Sequence, residues 1–244
     1  MESKFSNEDG LLLMKSMESN TVDLVLTDPP YIISKDSGMN RLFVSKDSTK
    51  EKYGDKYSIP TDYGEWDSQF TIDKINEFIV EFYRLLKPGG SCIIFFDLWK
   101  LESLSKLMID AKFTKLRFIE WVKTNPVPIN SKATYLSNSR EIAISAVKGS
   151  GQTFNSEYDN GIYEYPIYQG KKGVDRIHPT QKSLPLFEEL IKKHSNEGDI
   201  VLDPFGGSAT TYLASLNTNR ICISTELDLN YYSKAVDRLS YYKK

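Results

Sequence analysis

An acid, two prolines and an aromatic ring, Asp28-Pro29-Pro30-Tyr31, follow the apolar strand Val22 to Leu26 with only Thr27 between. Neither proline has an N–H to donate and both have a fixed φ, so a strand that reaches them must end in a stiff turn. That turn holds a carboxylate beside a ring. A second stretch of the same character is DIVLDPFGGSATT, residues 199 to 211. There a buried strand ends in Asp203, turns through Pro204, Phe205, Gly206 and Gly207, and opens a helix near Ser208. Glycines let a backbone pass close to a ligand, and free N–H groups at a helix start favour a carboxylate or phosphate. A tight turn with no ligand would use the same residues. The next strand ends in Glu226, about twenty residues on, where an acid can accept hydrogen bonds from ribose hydroxyls. Turn and acid together read as a site for an adenosine-containing cofactor. The pattern is neither GxGxxG nor a P-loop, since no GK[ST] follows.

These residues need a scaffold, and the remaining pattern supplies one. Apolar, β-branched runs at 22–27, 91–96, 118–123, 141–147, 199–203 and 220–225 are strand candidates. Ile72, Ile75, Ile79, Phe82 and Leu86 recur at helical spacing, and Lys87-Pro88-Gly89-Gly90 is expected to stop that helix before the next strand. Further helices are expected over 100–111, 183–195 with Pro185 in the first turn, 208–217 and 228–242. Strands alternating with helices imply an α/β fold with an open, doubly wound, mostly parallel sheet. Ligands bind beyond the carboxyl ends of such strands, where Asp28 and Asp203 both stand.

Two stretches interrupt the alternation. Residues 34–66 are polar, charged and long for a connection, as in a lid, a binding loop or a mobile segment. Residues 149–177, rich in Gly, Asn and Tyr, read as a small surface element. At 244 residues the chain suits a single domain, 1–244, with a sizeable core. No apolar run approaches the ~20 residues of a membrane span. The N-terminus carries no export or transit signal, and Cys92 and Cys222 sit inside strands without metal-ligand spacing. A cytoplasmic protein with buried, reduced thiols and no metal is expected. A net charge of −2 leaves the partner open, because basic residues can still gather on one face.

Together the stretches resemble the S-adenosylmethionine-dependent DNA amino-methyltransferases of the β type, which methylate adenine N6 or cytosine N4. Three motifs stand in that group's order: TDPPY at 27–31, HPTQKS at 178–183 and LDPFGGSATT at 202–211. The resemblance runs nearly end to end, taking in Asp9 upstream of DPPY, KPGG before SCIIFF, and TELDLNYYSKAVDRL near the C-terminus. It implies a Rossmann-like methyltransferase fold with permuted motif order and a small target-recognition insertion at 149–177. Asp28 and the Pro29 carbonyl would accept the hydrogen bonds of the target amino group, Pro30 would stiffen the turn, and Tyr31 would stack on the flipped base. S-adenosyl-L-methionine would lie among Asp9, Asp28, Asp203, Phe205, Gly206, Gly207, Ser208 and Glu226. His178, Thr180, Gln181 and Lys182 would stand near its amino-acid end. Lys171, Lys172 and Arg176 are the candidate contacts to double-stranded DNA. A homodimer or a restriction partner, as in restriction-modification systems, is the further association implied. The chain departs from the family pattern at Ala209 and Ser224, both usually glycine, at Ser183, usually proline, and at Glu8, often glycine.

An exocyclic amine is a poor nucleophile because its lone pair is delocalised into the ring. Rigid acceptors for both of its N–H bonds favour a pyramidal nitrogen aimed at the methyl donor. Because the tetrad begins with Asp, adenine-N6 methylation is the expected activity, with cytosine-N4 methylation and a non-catalytic DNA-binding subunit as alternatives. Methylation of a protein amide is disfavoured because those enzymes carry the cofactor motif first.

Overall fold

The computed structural model describes residues 2–30, 70–126, 139–168, 177 and 181–242. In chain order its elements are β1 (Lys4–Ser6), α1 (Gly10–Ser16), β2 (Val22–Thr27), α2 (Ile72–Leu85), β3 (Leu86–Phe96), α3 (Leu101–Asp110), β4 (Phe113–Lys123) and β5 (Arg140–Lys148). There follow β6 (Ile162–Tyr165), α4 (Leu184–His194), β7 (Ile200–Asp203), α5 (Thr210–Asn217), β8 (Ile221–Thr225) and α6 (Leu229–Tyr242). Tyr31, the 34–66 stretch, Lys171, Lys172, Arg176, His178 and Thr180 lie outside the described residues.

The strands form one sheet in the order β1-β8-β7-β2-β3-β5-β4-β6. Every neighbouring pair is parallel except the two that involve β5, which runs against both β3 and β4. This reversal has a functional consequence. Parallel strands present their carboxyl ends at one edge of the sheet, and an antiparallel strand brings its first residues to that same edge.

Alternation along the strands divides the core between two faces. Val25, Cys92, Ile94, Phe96, Ile144 and Leu202 face a layer carrying Ile75, Ile79 and Phe82 of α2 and Leu104 and Met108 of α3. Leu24, Leu26, Ile93, Phe95, Ala143 and Val201 face Leu186, Phe187, Leu190 and Ile191 of α4. The α4 side continues at the sheet's end, where α5 and α6 close over Cys222 with Tyr212, Leu213, Ala235 and Leu239. Helices on both faces make the sheet doubly wound. Cys92 and Cys222 are buried, free thiols whose pKa burial pushes up. Among the described residues no helix is long and apolar enough to cross a membrane.

The structure differs from the sequence expectation at three places. Helix α2 does end before Lys87-Pro88-Gly89-Gly90, but that tetrapeptide lies inside β3 rather than ahead of it. The strand begins at Leu86 opposite Val22, shifts register, and resumes with Ser91 opposite Leu24. Gly89, at φ +88°, passes so close to Gly151 that a Cβ there would stand 2.4 Å from its carbonyl oxygen. Second, the short strands β1 and β6 and helix α1 had no strong periodicity to announce them. Third, the described residues of the 149–177 stretch are tied to the sheet. The N–H of Thr153 donates to the Gly89 carbonyl and the N–H of Asn155 to the Lys193 carbonyl, and β6 runs parallel to β4 toward the carboxyl edge where Asp28 lies.

Candidate active site

Period two places the charged groups of the site. Leu24 and Leu26 face α4, so Asp28, two residues on, continues that face past the end of β2. The same extension carries Val201 to Asp203 on β7 and Ile119 and Trp121 to Lys123 on β4. On reversed β5 it carries Ala143 back to Glu141. Lys182, just ahead of α4, reaches both Asp28 and Glu141.

The groups form a continuous ion chain. The Lys182 ammonium lies 2.9 Å from Oδ2 of Asp28 and 2.5 Å from Oε2 of Glu141, and Lys123 reaches Oε1 of Glu141 at 2.7 Å. Lys182 also lies over the Phe95 ring at 5.5 Å. Its side chain is 6% exposed and that of Asp28 19%. Two cations against two anions leave the buried chain neutral, which is the condition for tolerating it. Burial pushes the Asp28 carboxyl up; Lys182 opposes the rise while Glu141 and Asp203 add to it, and the pKa settles at about 6. Burial also acts upward on Glu141, but Lys182 and Lys123 outweigh it and hold that carboxyl at about 2.

Oδ1 of Asp28 is buried and, among the described residues, has no hydrogen-bond donor. Such an acceptor is costly unless a partner arrives. Behind it Pro29 is buried and Pro30 half-buried, so the turn is wedged as well as conformationally fixed.

The neighbouring crevice is built on the turn after β7. Oδ1 of Asp203 accepts from Thr27 Oγ1 at 2.7 Å and from the N–H of Phe205 at 3.1 Å. Asp203 is thus a buried anchor that joins β2 to the turn, while the Thr211 hydroxyl of α5 donates to the Leu26 carbonyl of β2 at 3.5 Å. Phe205 packs against Phe78 and Phe70, at 4.5 and 5.5 Å between ring centres. Gly206 has no room for a side chain, since a Cβ would lie 2.7 Å from both Phe5 and Ser224 Oγ. Gly207 adopts φ +50° and gives its N–H to Glu226 Oε2 at 2.8 Å; the other oxygen of Glu226 takes the N–H of Asp228 at 2.8 Å. With Gly207 so engaged, and with the N–H groups of Gly206 and Ala209 bonded to carbonyls, the helix start offers fewer free donors than expected. Ser208 is buried, its hydroxyl against Thr210, and its carbonyl accepts from Arg238 at 2.5 Å.

Ala209, in the position where the family usually has glycine, is fully buried at φ +59°. A left-handed alanine costs about 1–2 kcal/mol, offset in part by the methyl it buries beside Tyr212 and Leu213. Ser224 occupies its own departure with a buried hydroxyl that finds no partner.

Asp9 caps α1, accepting the N–H of Leu11 at 2.7 Å and that of Leu12 at 3.1 Å. It is delivered to this crevice by Gly10, where a Cβ would stand 2.6 Å from Pro204 Cβ, 2.7 Å from the Pro204 carbonyl and 2.9 Å from Thr225 Oγ1. Two of these neighbours are rigid. Gly10→Ala is therefore expected to force α1 off the turn and cost about 1–3 kcal/mol of stability, measured by chemical denaturation.

An adenosine-bearing cofactor fits these residues. Glu226 accepts one backbone N–H on each oxygen and keeps lone pairs for hydroxyl donors, and Oδ1 of Asp28, unpaired among the described residues, lies at the same sheet edge. Gln181 accepts the N–H of Ile177 at 3.3 Å, while among the described residues its buried amide nitrogen has no acceptor. The structure thus brings Asp9, Asp28, Lys182, Asp203, Gly206, Gly207, Ser208 and Glu226 to one edge. It joins Lys182 to the Asp28 carboxylate. Glu141 and Lys123 were missed from sequence, although both extend the buried alternation of their strands by one step of two.

A family profile described as DNA methylase matches residues 22–237, a span that runs from the strand bearing Asp28 past Glu226. The chain belongs to this DNA methylase family. Type II methyltransferase M2.DpnII of Streptococcus pneumoniae is 29% identical over 249 residues, covering 96% of this chain and 88% of that protein. Type II methyltransferase M2.MboI of Moraxella bovis is 29% identical over 233 residues, covering 89% and 80%. Among solved structures, an M1.HpyAVI–SAM complex aligns with a TM-score of 0.70 at 26% identity, over 98% of this chain and 99% of that one. PvuII DNA methyltransferase, cytosine-N4-specific, aligns with a TM-score of 0.73 over 98% and 86%. At 18% identity it shares the fold alone. The doubly wound sheet is therefore that of a DNA methylase.

Proposed function

We propose that this DNA methylase methylates N6 of an adenine turned out of duplex DNA, with S-adenosyl-L-methionine as donor. The observation that carries the reading is the unpaired, buried Oδ1 of Asp28 at the carboxyl edge of the sheet. S-adenosyl-L-methionine supplies a sulfonium methyl for direct displacement. Asp28 Oδ1 accepts one N–H of the target amine and the Pro29 carbonyl the other, so the nitrogen lone pair is held toward the crevice floored by Gly206 and Gly207. Glu226 holds ribose hydroxyls and Asp9 lies by the adenine of the cofactor. Extruding a base costs a few kcal/mol, and stacking on Tyr31 returns roughly 1–3 kcal/mol of it. Duplex contact falls to Lys171, Lys172 and Arg176, with a second copy of the chain or a restriction partner as added components.

Incubation with methyl-labelled S-adenosyl-L-methionine and duplex DNA, followed by digestion to nucleosides, is expected to yield N6-methyl-2′-deoxyadenosine. Label in N4-methyl-2′-deoxycytidine instead would overturn the adenine assignment.

The ionised form of Asp28 is the acceptor, so acid should quench the reaction. With that carboxyl pushed up to about 6, kcat/KM for DNA is expected to fall about tenfold per pH unit below that value. The sign for stability is opposite. The folded chain holds this proton more tightly than the unfolded chain, whose Asp titrates near about 4. The contribution of Asp28 is therefore most favourable below that lower value and is lost as pH rises through about 6.

A further inference from the structure

We propose that Glu141 is a positioning residue for methyl transfer: by holding the far side of the Lys182 ammonium, it confines that ammonium to Oδ2 of Asp28 and keeps Oδ1 open for the target amine. The inference rests on the reading of Asp28 as acceptor of that amine. A lysine ammonium is a compact charge with three rotatable donors on a flexible stem. Beside a single carboxylate it can move between the two oxygens or straddle both. In this chain it is pinned from the other side at 2.5 Å by Glu141 Oε2, while Glu141 is itself held through Oε1 by Lys123. The Phe95 ring limits the remaining approach. The result is one occupied and one open oxygen on Asp28.

The charged groups around Asp28 come from separate elements. Lys182 stands ahead of α4, Glu141 opens β5, Asp203 ends β7, and Lys123 at the end of β4 acts through Glu141. Lys182 lowers the proton affinity of Asp28, and Glu141 and Asp203 raise it. Removing the charge of Glu141 therefore has two effects of one origin. Asp28 becomes more acidic, and Lys182 is released to reach Oδ1.

This gives a test by signs. In Glu141→Gln the acid limb of kcat/KM is expected to move down by about one pH unit, while kcat falls about tenfold as the acceptor is captured by the lysine. In Lys182→Met the limb is expected to move up by a similar amount, because two carboxylates are left facing each other. Lys123→Met, at the outer end of the chain, is expected to move it up by less, and it serves where Glu141→Gln does not fold. A purely structural role would lower activity in all three without opposed shifts. The same signs are read without DNA from the Asp28 carboxyl-carbon NMR titration, assigned by its loss in Asp28→Asn. Opposed NMR shifts in a wild-type protein that transfers no methyl to DNA would uphold the ion chain and reject the methyl-transfer reading. Active wild-type protein whose Asp28 titration moves the same way in Glu141→Gln and Lys182→Met, or stays in place, would overturn the role of Glu141.

Discussion

Asp28→Ala is expected to lower kcat for methyl transfer by at least about 10²–10³-fold, the scale on which loss of one preorganised partner of the reacting group is felt. Binding of the cofactor should persist, because the crevice is shaped by Asp203, Gly206, Gly207 and Glu226 on other elements. The fold should persist at some cost in stability. Among the described residues Oδ1 of the lost carboxylate has no donor and Lys182 keeps Glu141 as a counter-charge, but Glu141 is left facing two cations. Calorimetric titration with S-adenosyl-L-methionine beside a turnover assay separates the two effects. A variant that still turns over at a tenth of the wild-type rate would remove Asp28 from the chemistry. One that loses cofactor binding in step with turnover would make it a structural residue of the crevice.

Asp203→Ala should do the reverse, with its main cost in stability. The Asp203 carboxylate is the acceptor for the Thr27 hydroxyl and the Phe205 N–H, and it is buried. Its truncation strands these two donors, at about 1 kcal/mol or more each, so a loss of roughly 2 kcal/mol is expected. Burial raises the pKa of Asp203, so part of the cost of the ionised group is recovered on truncation. Asp203→Asn, which keeps one acceptor oxygen, should lie between. Urea denaturation checks the order, and cofactor affinity should fall with it because the 204–207 turn loses its anchor. Wild-type stability in Asp203→Ala would show that Thr27 and Phe205 find other partners without cost.

The framework of this site was open to reading because its elements obey simple periods. Leu24 to Leu26 and Ile200 to Leu202 are apolar runs of the kind buried parallel strands require, and an acid stands at or just past the end of each strand. Helix α4 begins after Ser183 with Pro185 in its first turn, as its sequence indicates. What escaped was strand direction. Nothing in Glu141-Ile-Ala-Ile-Ser shows that β5 runs against its neighbours, yet that reversal alone brings Glu141 to the edge where Asp28 sits. Without it Glu141 reads as a solvated charge at a strand start. Lys182 raised the opposite difficulty, since its motif neighbours direct attention to the cofactor. Its partners became visible only when β2, β4 and β5 were set side by side. The donor-rich helix start at Ser208 was expected from glycines alone, and the structure spends the Gly207 N–H on Glu226. Composition could not foresee that pairing, which depends on β8 lying next to β7.

The most direct test is a crystal structure with a non-reactive analogue of S-adenosyl-L-methionine and a duplex containing the target site. An extruded adenine whose amino nitrogen stands within about 3 Å of Asp28 Oδ1, with Lys182 still on Oδ2, is the expected arrangement. A target base that remains stacked in the duplex, or one seated in the crevice with its amino group turned away from Asp28, would contradict it.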